Sequence, residues 1–198
     1  MPRRAIGLDA PARHAAHACA QIASAVLEES IGAMQRLQSR LDAKALDRAV
    51  DMLARADTVW LLGSRRLFPI AAYLEYALRH ADKRVGLISG LGGMQEGEAR
   101  SIRRGDALVV MSSAPHAPDV LAIVEEARAR GACLIALGDR AVGRSTALAA
   151  CSLIAQDDSS FGLRSLASSM GLAQCLFTAL AYRLGLAAGP SAPAPPLE

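Results

Sequence analysis

Over 15–41 apolar residues recur at helical spacing, at Ile22, Val26, Leu27, Ile31, Met34, Leu37 and Leu41, and predict a long amphipathic helix. A second helix follows, with Asp42 as N-cap and Leu46, Val50 and Leu53 along its buried face. Residues 1–13 are polar, contain proline, show no period and read as loose. The period then changes. Thr58-Val59-Trp60-Leu61-Leu62 is a short apolar run ending at Gly63, the form of a strand buried on both faces. Residues 67–81 read as a helix and 84–88 as a second strand, followed by a turn rich in glycine (Gly90, Gly92, Gly93). A short helix over 94–103 closes at Gly105; 107–111 is the clearest strand in the chain, and 118–130 the helix after it. Gly131 stands where a helix C-terminal glycine belongs. A fourth strand over 133–137, a short helix near Ser145, a weaker strand at 152–154 and a last helix over 163–184 complete the pattern.

Strands alternating with helices over 58–155 imply right-handed βαβ units, hence an α/β domain whose five-stranded parallel sheet is covered on both faces. The expected organisation is an N-terminal segment and linker helix over 1–41, the domain over 42–185, and a disordered Pro/Ala-rich tail over 186–198.

Composition narrows the function classes. With 198 residues, 52% hydrophobic and 21% charged, the chain buries a sizeable core. No apolar run approaches the roughly 20 residues of a bilayer crossing, so no membrane partner is expected. Met1-Pro2-Arg3-Arg4 has no apolar stretch behind it, which predicts a cytoplasmic protein without a secretory signal. The net charge of +3 comes without a basic run or interleaved aromatics, so the chain lacks a nucleic-acid footprint of its own. Cys19, Cys133, Cys151 and Cys175 are widely spaced and are expected as free, mostly buried thiols. His14, His17 and Cys19 lack the further ligands of a metal site. Gly63 opens no G-x-G-x-x-G, and neither a P-loop nor G-x-S-x-G occurs, so no cofactor is expected.

In an open parallel sheet ligands bind beyond the carboxyl ends of the strands. Three loops lie there: 63–69, 112–118 and 138–140. Gly63, Ser64, Ser112 and Ser113 offer backbone N–H groups and hydroxyls to an anion. Arg65 and Arg66 offer guanidinium forks, and His116 a donor that titrates near neutral pH; the alternative is that these are solvated loop residues. Arg140, in the third loop, carries less weight. An enzyme would need a base beside the substrate. Glu96 and Glu98 are the nearest candidates, but an exposed helix face beside Arg100 explains them as well. His80 sits at a helix end, and Asp157 and Asp158 precede the last helix, where Ser159 or Ser160 is placed to cap it. No acid–base pair emerges, and no catalytic residue is assigned. Met170, Leu172, Leu176, Phe177 and Leu180 form an apolar face which, with the helix over 15–41, is the expected surface of a homodimer.

Several stretches resemble a known family. Val59-Trp60-Leu61-Leu62-Gly63 leading into Ala71-Ala72, then Gly105-Asp106-Ala107-Leu108-Val109-Val110-Met111-Ser112, are similar to the sugar isomerase (SIS) domain. So are Ala127-Arg128-Ala129-Arg130-Gly131-Ala132 with the strand and turn over 134–139. With Arg164-Ser165-Leu166-Ala167 opening the last helix, the likeness is greatest to the C-terminal effector domain of RpiR-type bacterial transcription regulators. The resemblance covers roughly 42–184. It implies a three-layer, flavodoxin-like α/β/α fold that dimerises and binds a phosphorylated sugar between loops. It also implies that DNA is met only through a helix-turn-helix domain absent from this chain. The family's first loop commonly reads G-x-G-x-S; here Arg65 replaces the second glycine and Leu67 the serine. Its second loop commonly reads S-x-S-G-x-T/S; here Ser112 is kept while Ala114, Pro115 and Ala117 stand at the following positions. Each change removes a phosphate partner worth about 1.5–3 kcal/mol. The expected function is therefore a sensor of a small anionic metabolite anchored by arginines, with a phosphosugar isomerase, or an interaction module with a degenerate pocket, as alternatives.

Overall fold

The computed structural model describes residues 18–113, 118–139, 147–157, 159–160 and 163–186. Two helices lead in: α1 (Ala18–Arg40) and α2 (Ala43–Arg55). Asp42 caps α2 as its sequence position predicts, its carboxylate accepting from the Ala45 N–H at 3.0 Å. Then come β1 (Val59–Gly63), α3 (Phe68–His80), β2 (Val85–Leu87), α4 (Gln95–Ala99), β3 (Ala107–Met111), α5 (Pro118–Ala129), β4 (Cys133–Gly138) and β5 (Cys151–Ile154). A small antiparallel pair, β6 (Ser159–Ser160) and β7 (Leu163–Arg164), precedes α6 (Ala167–Arg183).

The five main strands are all parallel, in the order β2-β1-β3-β4-β5. The alternation of side chains divides the core between the two faces. Val59, Leu61, Val109, Ile135 and Leu153 pack under α2, α3 and α6. Trp60, Leu62, Leu108, Val110 and Leu134 meet α4 and α5. The sheet is thus covered on both sides, as the unbroken apolar strands require.

Two polar devices fasten the edge of the sheet opposite the strands' carboxyl ends. Asp106 is only 5% exposed, and its carboxylate accepts from Thr58 N–H, Arg103 N–H and the Trp60 indole at 2.8–3.1 Å. Lys83 donates to the carbonyls of Ala54 and Ala56 at the end of α2, and partial burial lowers its pKa. The Trp60 ring covers Gly86 so closely that a Cβ there would lie 2.5 Å from it.

Five expectations need correction. The helix after the Gly-rich turn spans only Gln95–Ala99, because the chain tightens into turns through Ile102 before Asp106 catches Arg103. The last helix starts at Ala167 rather than near 163, since Leu163 and Arg164 pair with Ser160 and Ser159. Its cap is neither Ser159 nor Ser160 but Asp157, which accepts from the N–H groups of Ser168 (3.0 Å) and Ser169 (3.2 Å). Of the four free cysteines only Cys151 is buried; its thiol donates to the Ala45 carbonyl, and burial raises its pKa. Finally, the α6 face assigned to a partner serves the chain's own core: Leu172, Leu176 and Leu180 are buried, with Met170 and Phe177 packed beside them. On α1 the apolar residues Ile22, Val26, Leu27, Ile31 and Met34 are left exposed. The helix expected near Ser145 lies mostly outside the described residues.

Candidate ligand-binding site

The order of the strands reverses between β1 and β3, and the crevice of such a sheet opens beyond their carboxyl ends. The ladder carries the two loops there: Ser64 N–H donates to Met111 O at 2.9 Å, and Ser112 N–H to Leu137 O at 3.2 Å. Gly63 is required because α3 begins directly against it; a Cβ would lie 2.7 Å from the Phe68 Cα and 2.8 Å from the Ala71 Cβ. A single tight turn, Arg65–Leu67, joins strand to helix. Within it Arg65 holds φ +52°, a left-handed conformation that costs a non-glycine residue about 1–2 kcal/mol.

That turn sends its two arginines to opposite faces of the sheet. Gly63, Ser64 and Arg65 line a cavity of about 280 Å³ on the side of α4 and α5, together with Ser89, Gln95 and Asp119. The Arg65 side chain is exposed there and makes no ion pair or hydrogen bond with the other described residues. The wall beneath is held by Glu98, whose carboxylate accepts from Ser89 Oγ and the Gly90 N–H, both at 3.0 Å. Gly90 itself takes φ +68°.

Arg66 turns to the side of α3 and α6. Its Nη1 donates to the Ser165 carbonyl at 2.9 Å and lies 3.5 Å from Asp157 Oδ2, whose side chain is wholly buried. Asp157 also accepts from the hydroxyls of Ser168 (2.7 Å) and Ser169. A second, much smaller cavity opens beside this group and takes in Arg66, Ser113, Asp139 and Ser169. The expected binding set is thereby divided: Gly63, Ser64 and Arg65 share the larger crevice, Arg66 and Ser113 border the smaller one, and Ser112 is buried between the strand ends. His116 and Arg140 lie outside the described residues.

Sequence reasoning missed Ser89, Gln95 and Asp119, which come from three separate stretches and carry no motif. Glu96 is not in the crevice; it faces a groove between α4 and α5 beside Arg100 and Glu126. Among the described residues no group of three or more His, Cys, Asp or Glu is placed to hold a metal ion, and no helix is long and apolar enough to cross a membrane.

A family model of the SIS domain matches residues 52–181. The chain belongs to the SIS-domain family. The SIS fold also recurs among solved structures. The sugar isomerase domain of an RpiR transcription factor from Sphaerobacter thermophilus superposes with a TM-score of 0.79, at 21% identity over 83% of this chain and 92% of that one. The Vibrio vulnificus NanR protein, complexed with ManNAc-6P, gives a TM-score of 0.71 at 18% identity, covering 82% of this chain and 62% of that one. Phosphoheptose isomerase from Neisseria gonorrhoeae gives 0.69 at 16% identity, over 82% of this chain and 99% of that one. At these identities the likeness establishes the SIS fold, which regulators and isomerases share. No curated protein matches the chain.

Proposed function

We propose that this SIS domain is the sensor of an RpiR-type transcription regulator and takes a small anionic, sugar-phosphate-like metabolite in the crevice beside Arg65. The observation that carries this reading is the position of Arg65: a guanidinium that makes no ion pair among the described residues, on a left-handed turn at the switch point of the sheet. A guanidinium fork binds phosphate or carboxylate through two parallel hydrogen bonds. Ser64, Ser89 and Gln95 add uncharged polar groups for the rest of such a ligand.

The neighbouring contacts support a route from the crevice to the N-terminal helix. Arg66, adjacent to Arg65, is tied to Asp157. The next residue back from Asp157 is Gln156, whose Oε1 accepts from Arg40 Nη1 at 3.2 Å, at the last turn of α1. A ligand that draws the first turn toward the crevice therefore acts on the same group that holds the end of α1. It shifts the population of α1 positions only as far as its affinities for the two differ. The exposed apolar residues of α1 support a second copy of the chain as the other contact of that helix.

The test is isothermal titration with a panel of sugar phosphates, ManNAc-6P among them, against inorganic phosphate and the unphosphorylated sugars. Binding of a phosphorylated member is expected, weakened about 10- to 100-fold by Arg65→Ala, the equivalent of one charge-assisted bond. Binding that ignores Arg65→Ala, or no binding across the panel, refutes the reading.

One observation favours an isomerase instead. Asp119, in the first turn of α5, places a carboxylate on the crevice, and aldose–ketose interconversion needs such a base. NMR of a sugar phosphate incubated with the protein separates the two. Turnover abolished by Asp119→Asn would make the domain an enzyme.

A further inference from the structure

The smaller cavity, on the α3 and α6 side, poses a separate question. Two residues that line it each carry a buried polar atom without a hydrogen-bond partner among the described residues: Arg66 at Nε and Asp139 at Oδ2. Asp139 is 8% exposed. Arg164 Nη1 stands 3.1 Å from Asp139 Oδ2 as an ion pair, without the alignment of a hydrogen bond. A buried donor or acceptor left in this condition costs about 1–3 kcal/mol, and one of each belongs to a residue lining the same cavity. The rest of the wall is apolar, from Met111, Leu137 and Leu172, apart from the hydroxyls of Ser113 and Ser169.

We infer that this cavity is a binding site for one neutral hydroxyl group, filled by a single structural water that bridges Arg66 Nε to Asp139 Oδ2. Size sets the first limit: the free volume is about 10 Å³, near the minimum for one water. Charge sets the second. Arg66 faces Asp157, and Arg164 faces Asp139, so the two cations and two anions already balance. An added anion would meet two carboxylates, and an added cation two guanidinium groups. The valences set the third. The water oxygen accepts from Arg66 Nε–H, one of its hydrogens goes to Asp139 Oδ2, and the other to Ser113 or Ser169 Oγ. Three hydrogen bonds is the usual complement of a buried water. The bridge joins the turn after β1 to the end of β4, where Arg66 and Asp139 share no direct hydrogen bond or ion pair. It fixes the base of the turn that presents Arg65, and it stands whether or not the crevice binds an anion.

A crystal structure of the full chain, at a resolution that shows ordered solvent, tests this. One density peak at hydrogen-bond distance from both atoms, roughly 2.7–3.2 Å, is the expected result. A cavity without density, an Arg66 Nε turned into solvent, or a peak with the short multiple oxygen contacts of a metal ion would overturn it. Arg66→Met keeps the side-chain stem but removes Nε. It is expected to lose the peak, and oxygen-17 relaxation dispersion should count one fewer long-lived water in solution. A peak unmoved by Arg66→Met also refutes the bridge. Should that variant fail to fold, the density in the parent protein decides.

Discussion

Arg65 combines two properties that ordinarily exclude each other: a side chain fit for an anion and a backbone conformation fit for glycine. The resemblance to SIS sequences has glycine at this place in the first loop, and the left-handed turn gives the physical reason. Replacing Arg65 by glycine should therefore raise stability by up to about 1 kcal/mol in thermal melts, because the strain is released. The same substitution should remove the anion affinity seen by titration. Cys151 offers a second residue-scale prediction. Burial raises its thiol pKa, so its contribution to stability is complete below the ordinary thiol pKa and is lost as pH rises through the raised value. Mass spectrometry after alkylation of the native protein at mildly alkaline pH should find Cys19 and Cys133 labelled and Cys151 untouched. Cys151 should react only in denaturant.

Among the elements, α6 depends on a carboxylate that lies outside it. Asp157 supplies the N-terminal hydrogen bonds of the helix and also holds Arg66. Asp157→Ala should cost about 2 kcal/mol or more, combining a lost cap with a half-buried arginine left without its carboxylate. Chemical denaturation measures this, and a change no larger than that of a surface substitution would contradict the role. Asp106 plays the corresponding part at the opposite edge of the sheet. Asp106→Ala strands the donors of Thr58, Trp60 and Arg103, at about 1–3 kcal/mol for each that remains buried. The two carboxylates thus hold opposite ends of the same sheet.

At the scale of the whole molecule, α1 is the exception to compactness. From Cys19 to Glu28 every residue except Ala25 is exposed, and only Ala33 and Leu37 are fully buried against the domain. Met34 lies over Gly171 of α6, where a Cβ would come within 2.7 Å of its methyl group. A helix of 23 residues with that much exposed apolar surface is the contact that the proposed second copy would cover. Light scattering at micromolar protein should give a dimer mass, and the double substitution Leu27→Asp with Ile31→Asp should shift it to the monomer while the melting temperature of the domain changes little. A monomer in the parent protein would remove the dimer from the proposal.

The α/β class, the five parallel strands and most helix boundaries were legible from sequence because they follow local rules. Unbroken apolar runs make strands buried on both faces, the 3.6-residue period makes helices, and Asp42 and Gly131 mark helix ends through their own backbone chemistry. The destinations of Arg65 and Arg66 were not legible. Adjacent in the chain and alike in chemistry, they are separated by a turn whose direction is set by α3 packing against Gly63 and by a carboxylate about ninety residues further on. The same holds for Asp139 and Ser113 at the small cavity, and for Ser89, Gln95 and Asp119 around the large one. Periodicity and capping are properties of neighbours along the chain; a pocket is a property of neighbours in space, and only the folded sheet brings those together.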